Sequence, residues 1–123
     1  MANILLVDDD APLVKVQSEL LRRAGHTVSV AGNGKEAMDL VADNDFDLVI
    51  TDLIMPEKEG IETILELRRK APKIKIVAMS GGGAWADTRD SLAMARQLGA
   101  SLTLAKPFSG EELIAAVAQA LSL

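Results

Sequence analysis

The sequence predicts a doubly wound α/β domain built from five strand–helix units. Short apolar runs of strand length recur along the chain, Ile4–Val7 first among them. Each is followed by a segment carrying helix start and stop signals. Several of the runs are apolar at almost every position, the pattern of a parallel sheet covered by helices on both faces.

Ile4-Leu5-Leu6-Val7 is the first strand. Asp10 and Pro12 open the first helix; Leu13, Val16, Leu20 and Ala24 predict its apolar face, and Gly25 stops it. Residues 27 to 31 alternate around Val28 and Val30 as a second strand. Asn33 and Glu36 have the spacing of a capping box for a second helix through Ala37 and Val41. Leu48-Val49-Ile50 is the third strand. Gly60 starts a third helix, with Ile61, Ile64 and Leu65 inward and Pro72 beyond its end. Ile74 to Met79, apolar except for Lys75, is the fourth strand. A fourth helix is expected from about Asp87 to Leu98, stopped by Gly99. Leu102 to Ala105 is the last and weakest strand, and Ser109 with Glu112 boxes the fifth helix.

At 123 residues, 49% of them hydrophobic, the chain has the size and material of one domain over 1–123. It has no cysteine, which excludes disulfides and thiolate metal sites. No apolar run approaches the roughly 20 residues of a membrane helix. The first strand meets Asp8, Asp9 and Asp10 where a signal peptide would continue its apolar stretch, so a cytoplasmic location is expected. A net charge of −5 argues against direct nucleic-acid binding. Phe46, Trp85 and Phe108 are too few to stack bases.

In such sheets ligands bind beyond the carboxyl ends of the strands. Asp8 and Asp9 follow the first strand, Asp52 the third, Ser80 the fourth and Lys106 the fifth. Each alone has an ordinary reading as a helix cap or a solvated loop residue. Together they make coherent chemistry. Three gathered carboxylates repel one another and invite a cation. An all-oxygen donor set suits Mg²⁺. Lys106 is a compact cation for a phosphoryl oxygen, Ser80 a hydroxyl donor, and Asp52 a carboxylate nucleophile able to form an aspartyl phosphate.

On these residues, together with Met55-Pro56 after Asp52 and Pro107-Phe108 after Lys106, the chain resembles response regulator receiver domains over its whole length. The resemblance implies a flavodoxin-like sheet of five parallel strands in the order 2-1-3-4-5. It implies Asp52 as the phosphorylation site, Asp9 and Asp52 as direct Mg²⁺ ligands, Asp8 as a ligand through water, and the backbone carbonyl of Ile54 as a further ligand. It implies Ser80 as the switch hydroxyl and Lys106 as the phosphoryl-contacting cation. The partners it implies are a sensor histidine kinase or histidine phosphotransfer protein and a downstream protein.

The chain departs from the family pattern in two places and carries two further features. Thr103 stands where receivers usually carry an aromatic, so the usual ring rotation coupled to the switch hydroxyl is absent. The stretch from Ser80 to Lys106 is longer than the family's and contains Gly81-Gly82-Gly83-Ala84-Trp85. Its two readings are a flexible insertion and a partner-contact or lid element tipped by Trp85. Ile54 offers no polar group to orient an attacking water, which predicts a long-lived phosphoryl group. The last helix carries more apolar residues than one face needs, and both a partner or homodimer surface and a plain alanine-rich helix fit this. His26, in a turn remote from the acids, reads as a surface residue.

Two other functions compete with the signalling switch. A degenerate receiver acting as a phosphorylation-independent interaction module would have no use for the full set of acids with Ser80 and Lys106. An aspartyl-phosphate hydrolase of the haloacid dehalogenase kind wants a second Asp where Ile54 stands. The switch reading makes the chain no conventional enzyme: it catalyses only its own phosphorylation and dephosphorylation.

Overall fold

The computed structural model describes residues 2–52, 59–80, 97, 99–105 and 108–123; for residues 59–61 and 80 it describes the backbone alone. The elements are β1 (Asn3–Val7), α1 (Ala11–Arg23), β2 (Thr27–Ala31), α2 (Gly34–Asp43), β3 (Leu48–Asp52), α3 (Glu59–Lys70), β4 (Lys75–Ser80), β5 (Leu102–Ala105) and α4 (Gly110–Leu121). The strands form one parallel sheet in the order β2-β1-β3-β4-β5, as expected. The helix expected at 87–98 lies outside the described residues apart from Gln97, which is helical.

Strand alternation divides the core into two layers. Leu5, Val7, Val49, Ile76 and Ala78 pack with Ala37 of α2 and with Ile64 and Leu67 of α3. Ile4, Leu6, Leu48, Ile50, Val77 and Met79 pack with Val14 and Leu21 of α1 and with Leu113 and Val117 of α4. Each fully buried Leu or Ile contributes roughly 1.5–3 kcal/mol, so these two layers dominate the stability.

Helix starts follow the sequence signals. The Asp10 carboxylate accepts from the Leu13 N–H at 3.2 Å. The Asn33 side chain accepts from the Glu36 N–H at 2.8 Å. Glu36 reaches back to the N–H of Gly32, at 2.8 Å, one residue before the cap. Ser109 and Glu112 form the reciprocal capping box, each bond 3.1 Å.

Two helix faces differ from expectation. In α1 the buried residues are Val14, Gln17, Ser18 and Leu21. Leu13 and Leu20 are half-buried, Ala24 is exposed and Val16 is 57% exposed. The inward stripe includes two polar residues, so hydrophobic periodicity alone selects the neighbouring stripe. Ser18 satisfies its hydroxyl on the Lys15 carbonyl at 3.0 Å. Gln17 donates through Nε2 to the Met79 thioether at 4.0 Å, while its buried Oε1 has no hydrogen-bond partner among the described residues. Such an orphan acceptor costs about 1–3 kcal/mol. In α3, Leu67 and Thr63 join Ile64 inside, while Leu65 is 48% exposed; the Ile61 side chain lies outside the described residues. His26 also differs: it is half-buried, and its Nδ1 accepts from the Ala2 N–H at 3.3 Å.

The amino ends of β4 and β5 are joined by Arg68. Its Nε donates to the Gly99 carbonyl at 2.7 Å, Nη1 to the carbonyls of Pro72 at 3.1 Å and Ile74 at 2.6 Å, and Nη2 to the Ser101 hydroxyl at 3.3 Å. Burial lowers its pKa below the ordinary arginine value, yet arginine stays charged in proteins. The bonds therefore keep charge assistance. Gly99, at φ +121°, leaves room for this side chain: a Cβ there would lie 2.8 Å from Arg68 Cγ. Gly99→Ala should combine backbone strain with this clash and lower stability by about 2 kcal/mol, read as a fall in the urea midpoint.

Candidate functional site

The register of the two central strands builds the site. Val7 of β1 pairs with Thr51 of β3, so Asp8 and Asp52, each next in sequence, leave neighbouring strands at the same level. Asp8 continues the ladder through its N–H to the Ala31 carbonyl of β2, at 3.1 Å. Asp52 is the last residue of β3 and pairs with Met79 of β4. Asp9 follows on the short turn into α1.

Carboxylate oxygens of Asp8, Asp9 and Asp52 lie within 4.8 Å of one another. Asp8 and Asp52 are buried, at 2% and 6% exposure, whereas Asp9 faces solvent. Asp8 is held in place by the Asp10 N–H, which donates to its Oδ1 at 3.0 Å. Asp10 is turned to cap α1 and is not part of the cluster. A buried carboxylate pair with a third acid at its mouth needs positive charge nearby. All three donors are hard oxygens, and the group includes no His or Cys, a chemistry that fits Mg²⁺. Across an octahedral Mg²⁺ sphere with bonds of about 2.1 Å, ligand oxygens stand roughly 3–4 Å apart.

The other residues singled out from the sequence fall as follows. Ser80 is the last residue of β4, paired with Ala105, and one position beyond the Asp52–Met79 pair. Its side chain, and Ile54, Trp85 and Lys106 entirely, lie outside the described residues. Lys106 is next in sequence after Ala105, the end of β5. Thr103 is half-buried in mid-β5, in register with Ala78. Sequence reasoning missed Gln17, buried one strand away behind Met79; an isolated Gln in an amphipathic helix carries no signal of burial.

A family model for the response regulator receiver domain matches residues 4–118. The chain belongs to the response regulator receiver family. Among curated relatives, this receiver is 36% identical over 121 residues to the DNA-binding transcriptional regulator NtrC of Azospirillum brasilense, a match covering 98% of this chain and 24% of that protein. It is 38% identical over 117 residues to the transcriptional regulatory protein CpxR of Escherichia coli K12, covering 95% of this chain and 48% of CpxR. The chain thus spans about a quarter to a half of the length of these relatives. Among solved structures, a receiver domain protein from Clostridium thermocellum superposes with a TM-score of 0.89 at 27% identity, covering 99% of this chain and 95% of that one. NtrX from Brucella abortus superposes with a TM-score of 0.90 at 26% identity, covering 98% of this chain and 27% of NtrX. Receivers of such regulators serve as signalling switches. No helix among the described residues is long and apolar enough to cross a membrane.

Carboxylates gathered this closely repel one another when no cation lies among them. In EDTA, Asp52→Asn should raise the stability of the receiver by at least about 1 kcal/mol in urea titration, and added Mg²⁺ should narrow the gap to wild type.

Proposed function

We propose that this receiver, a single domain over 1–123, takes a phosphoryl group on Asp52 from the phosphohistidine of a sensor histidine kinase or histidine phosphotransfer protein. The modified domain then changes its affinity for a downstream protein partner. The observation that supports this most is the gathering of Asp8, Asp9 and Asp52 within 4.8 Å at the carboxyl edge of the sheet.

A carboxylate oxygen of Asp52 forms the new bond to phosphorus as the phosphorus–nitrogen bond to the donor imidazole breaks. The imidazole leaves with the electron pair of that bond and takes its proton from solvent. Asp52 reacts as the carboxylate and surrenders no proton. At 6% exposure and anchored as the final ladder residue of β3, it is positioned before the donor arrives, which lowers the entropic part of the barrier. Lys106 pairs with a phosphoryl oxygen as a point charge, and the Ser80 hydroxyl donates to another. Asp9 and Asp52 directly, Asp8 through water and the Ile54 carbonyl would hold Mg²⁺, which when bound neutralises charge on the transferred group.

Phosphorylation adds charge and strong acceptors at the end of β3 and biases a pre-existing equilibrium. Thr103 supplies no ring to swing, so the relay runs through Ser80 and the stretch that follows it, with Trp85 as a contact element. The site lies in the carboxylate chemistry of a switch and not of a dedicated hydrolase, since Ile54 gives no second acid.

Incubation with acetyl phosphate and Mg²⁺ should add the mass of one phosphoryl group to wild type and none to Asp52→Asn, by intact mass spectrometry. A singly modified Asp52→Asn chain would move the acceptor elsewhere. Ile54→Asn should lose its phosphoryl group several-fold faster than wild type in a timed hydrolysis assay, because an amide at this position can orient water.

A further inference from the structure

Gln17 is a buried amide in the apolar layer between α1 and the sheet. It is 3% exposed and shares the inward stripe of α1 with Val14 and Leu21. Its Nε2 donates to the Met79 thioether at 4.0 Å, and its Oε1 is buried without a hydrogen-bond partner among the described residues. A thioether is a weak acceptor, and buried polar atoms are nearly always paired. Methionine, equally long and unbranched, would fill the place without burying an amide. The amide therefore costs the fold free energy, and what it adds is direction. An N–H bonds its acceptor at a preferred angle, whereas hydrocarbon packing is non-directional.

Both ends of this contact lead to the acids. Met79 is fully buried and is the ladder partner of Asp52. Along α1, Gln17 stands about two turns in from the Asp10 cap. The Asp10 N–H holds Asp8 Oδ1 at 3.0 Å, and Asp9 lies on the same turn of chain. A slide of α1 along the sheet would carry that turn, and Asp9 with it, away from Asp52. Two side-chain hydrogen bonds run from α1 to the strands among the described residues. Arg22 Nη2 donates to the Val28 carbonyl of β2 at 3.1 Å, at the end of α1 remote from the acids. Gln17 makes the other, to β4, nearer the acids.

We propose, resting on the reading of Asp52 as a Mg²⁺-dependent acceptor, that Gln17 is a positioning residue for the acid cluster. Its amide fixes α1 against β4 and so keeps Asp9 within the 4.8 Å that gathers the three acids. Gln17 supplies no ligand; it acts through Met79 on one side and through the turn that carries Asp9 on the other. The unpartnered Oε1 is the stability lost in exchange for that register.

The test compares Gln17→Met, Met79→Leu and the double variant with wild type. Mg²⁺ is titrated into the ¹⁵N-labelled chain and followed at the Asp8 and Asp9 amides, while stability is read separately in urea with EDTA. Gln17→Met should raise the urea midpoint, because the orphan acceptor is gone, yet weaken Mg²⁺ binding about threefold or more. Met79→Leu should weaken Mg²⁺ binding alike, and the double variant no further, since both remove one and the same hydrogen bond. With acetyl phosphate, the Mg²⁺ concentration giving half the maximal rate should rise by the same factor in Gln17→Met. The rate at saturating Mg²⁺ should stay within about twofold of wild type, because Asp52 itself is held by β3. Unchanged Mg²⁺ affinity in Gln17→Met, or additive losses in the double variant, would overturn the proposal. So would a fall in urea midpoint together with Mg²⁺ affinity, the mark of a residue that only supports the core. Wild type that binds Mg²⁺ but takes no phosphoryl group would sink the acceptor reading instead, and the Mg²⁺ titrations would still decide the role of Gln17.

Discussion

Everything at the carboxyl edge of this molecule depends on the parallel register of β1 and β3. Val7 opposite Thr51 brings two acids from distant parts of the chain out of adjacent strands at one height. A slip of one residue would turn every side chain of the strand to the other layer of the core. The apolar alternation that fills the two layers therefore also fixes where the carboxylates meet. Hydrophobic burial, which has no directional chemistry of its own, sets the geometry of a polar site.

The same ladder explains why the site tolerates its own repulsion. Leu5, Leu6, Val49 and Ile50, all fully buried, lie directly beneath the acids. The core's many small contributions exceed the cost of holding two buried carboxylates together. The Asp10 N–H adds a fixed partner for Asp8, and Asp10 in turn caps α1, so the first helix and the acid cluster share a single turn of chain. The chemistry at Asp52 is thereby joined to α1 from two directions: through this turn, and through the contact of Gln17 with Met79.

Much of this was legible in the sequence because local signals and global fold agree. Asp10, Ser109 and Gly25 each announce a helix boundary by side-chain chemistry or backbone freedom, and each acts as expected. Asn33 and Glu36 do so with the variation that Glu36 reaches Gly32. The acids could be read because adjacent parallel strands bring strand ends together. What could not be read was which stripe of an amphipathic helix turns inward. In α1 the choice went to the stripe containing Gln17 and Ser18, because packing on the sheet outweighed the polarity of two residues. In α3 it went to Leu67 over Leu65. Arg68 was equally silent: beside Arg69 and Lys70 it looks like ordinary basic charge at a helix end, and its carbonyl partners are set by tertiary contact alone.

Arg68 also has a topological meaning. One guanidinium holds the carbonyls of Pro72 and Ile74, just before β4, and that of Gly99, just before β5. The whole excursion of chain between those points departs from and returns to the same anchor. Its closure is secured at the base, independent of what the intervening residues are. Under such tethering, lengthening the excursion costs little, since doubling a loop adds only about 0.6 kcal/mol of closure entropy. The two ends of that excursion thus share one side chain, while the carboxyl edge carrying Asp52 is held by other bonds.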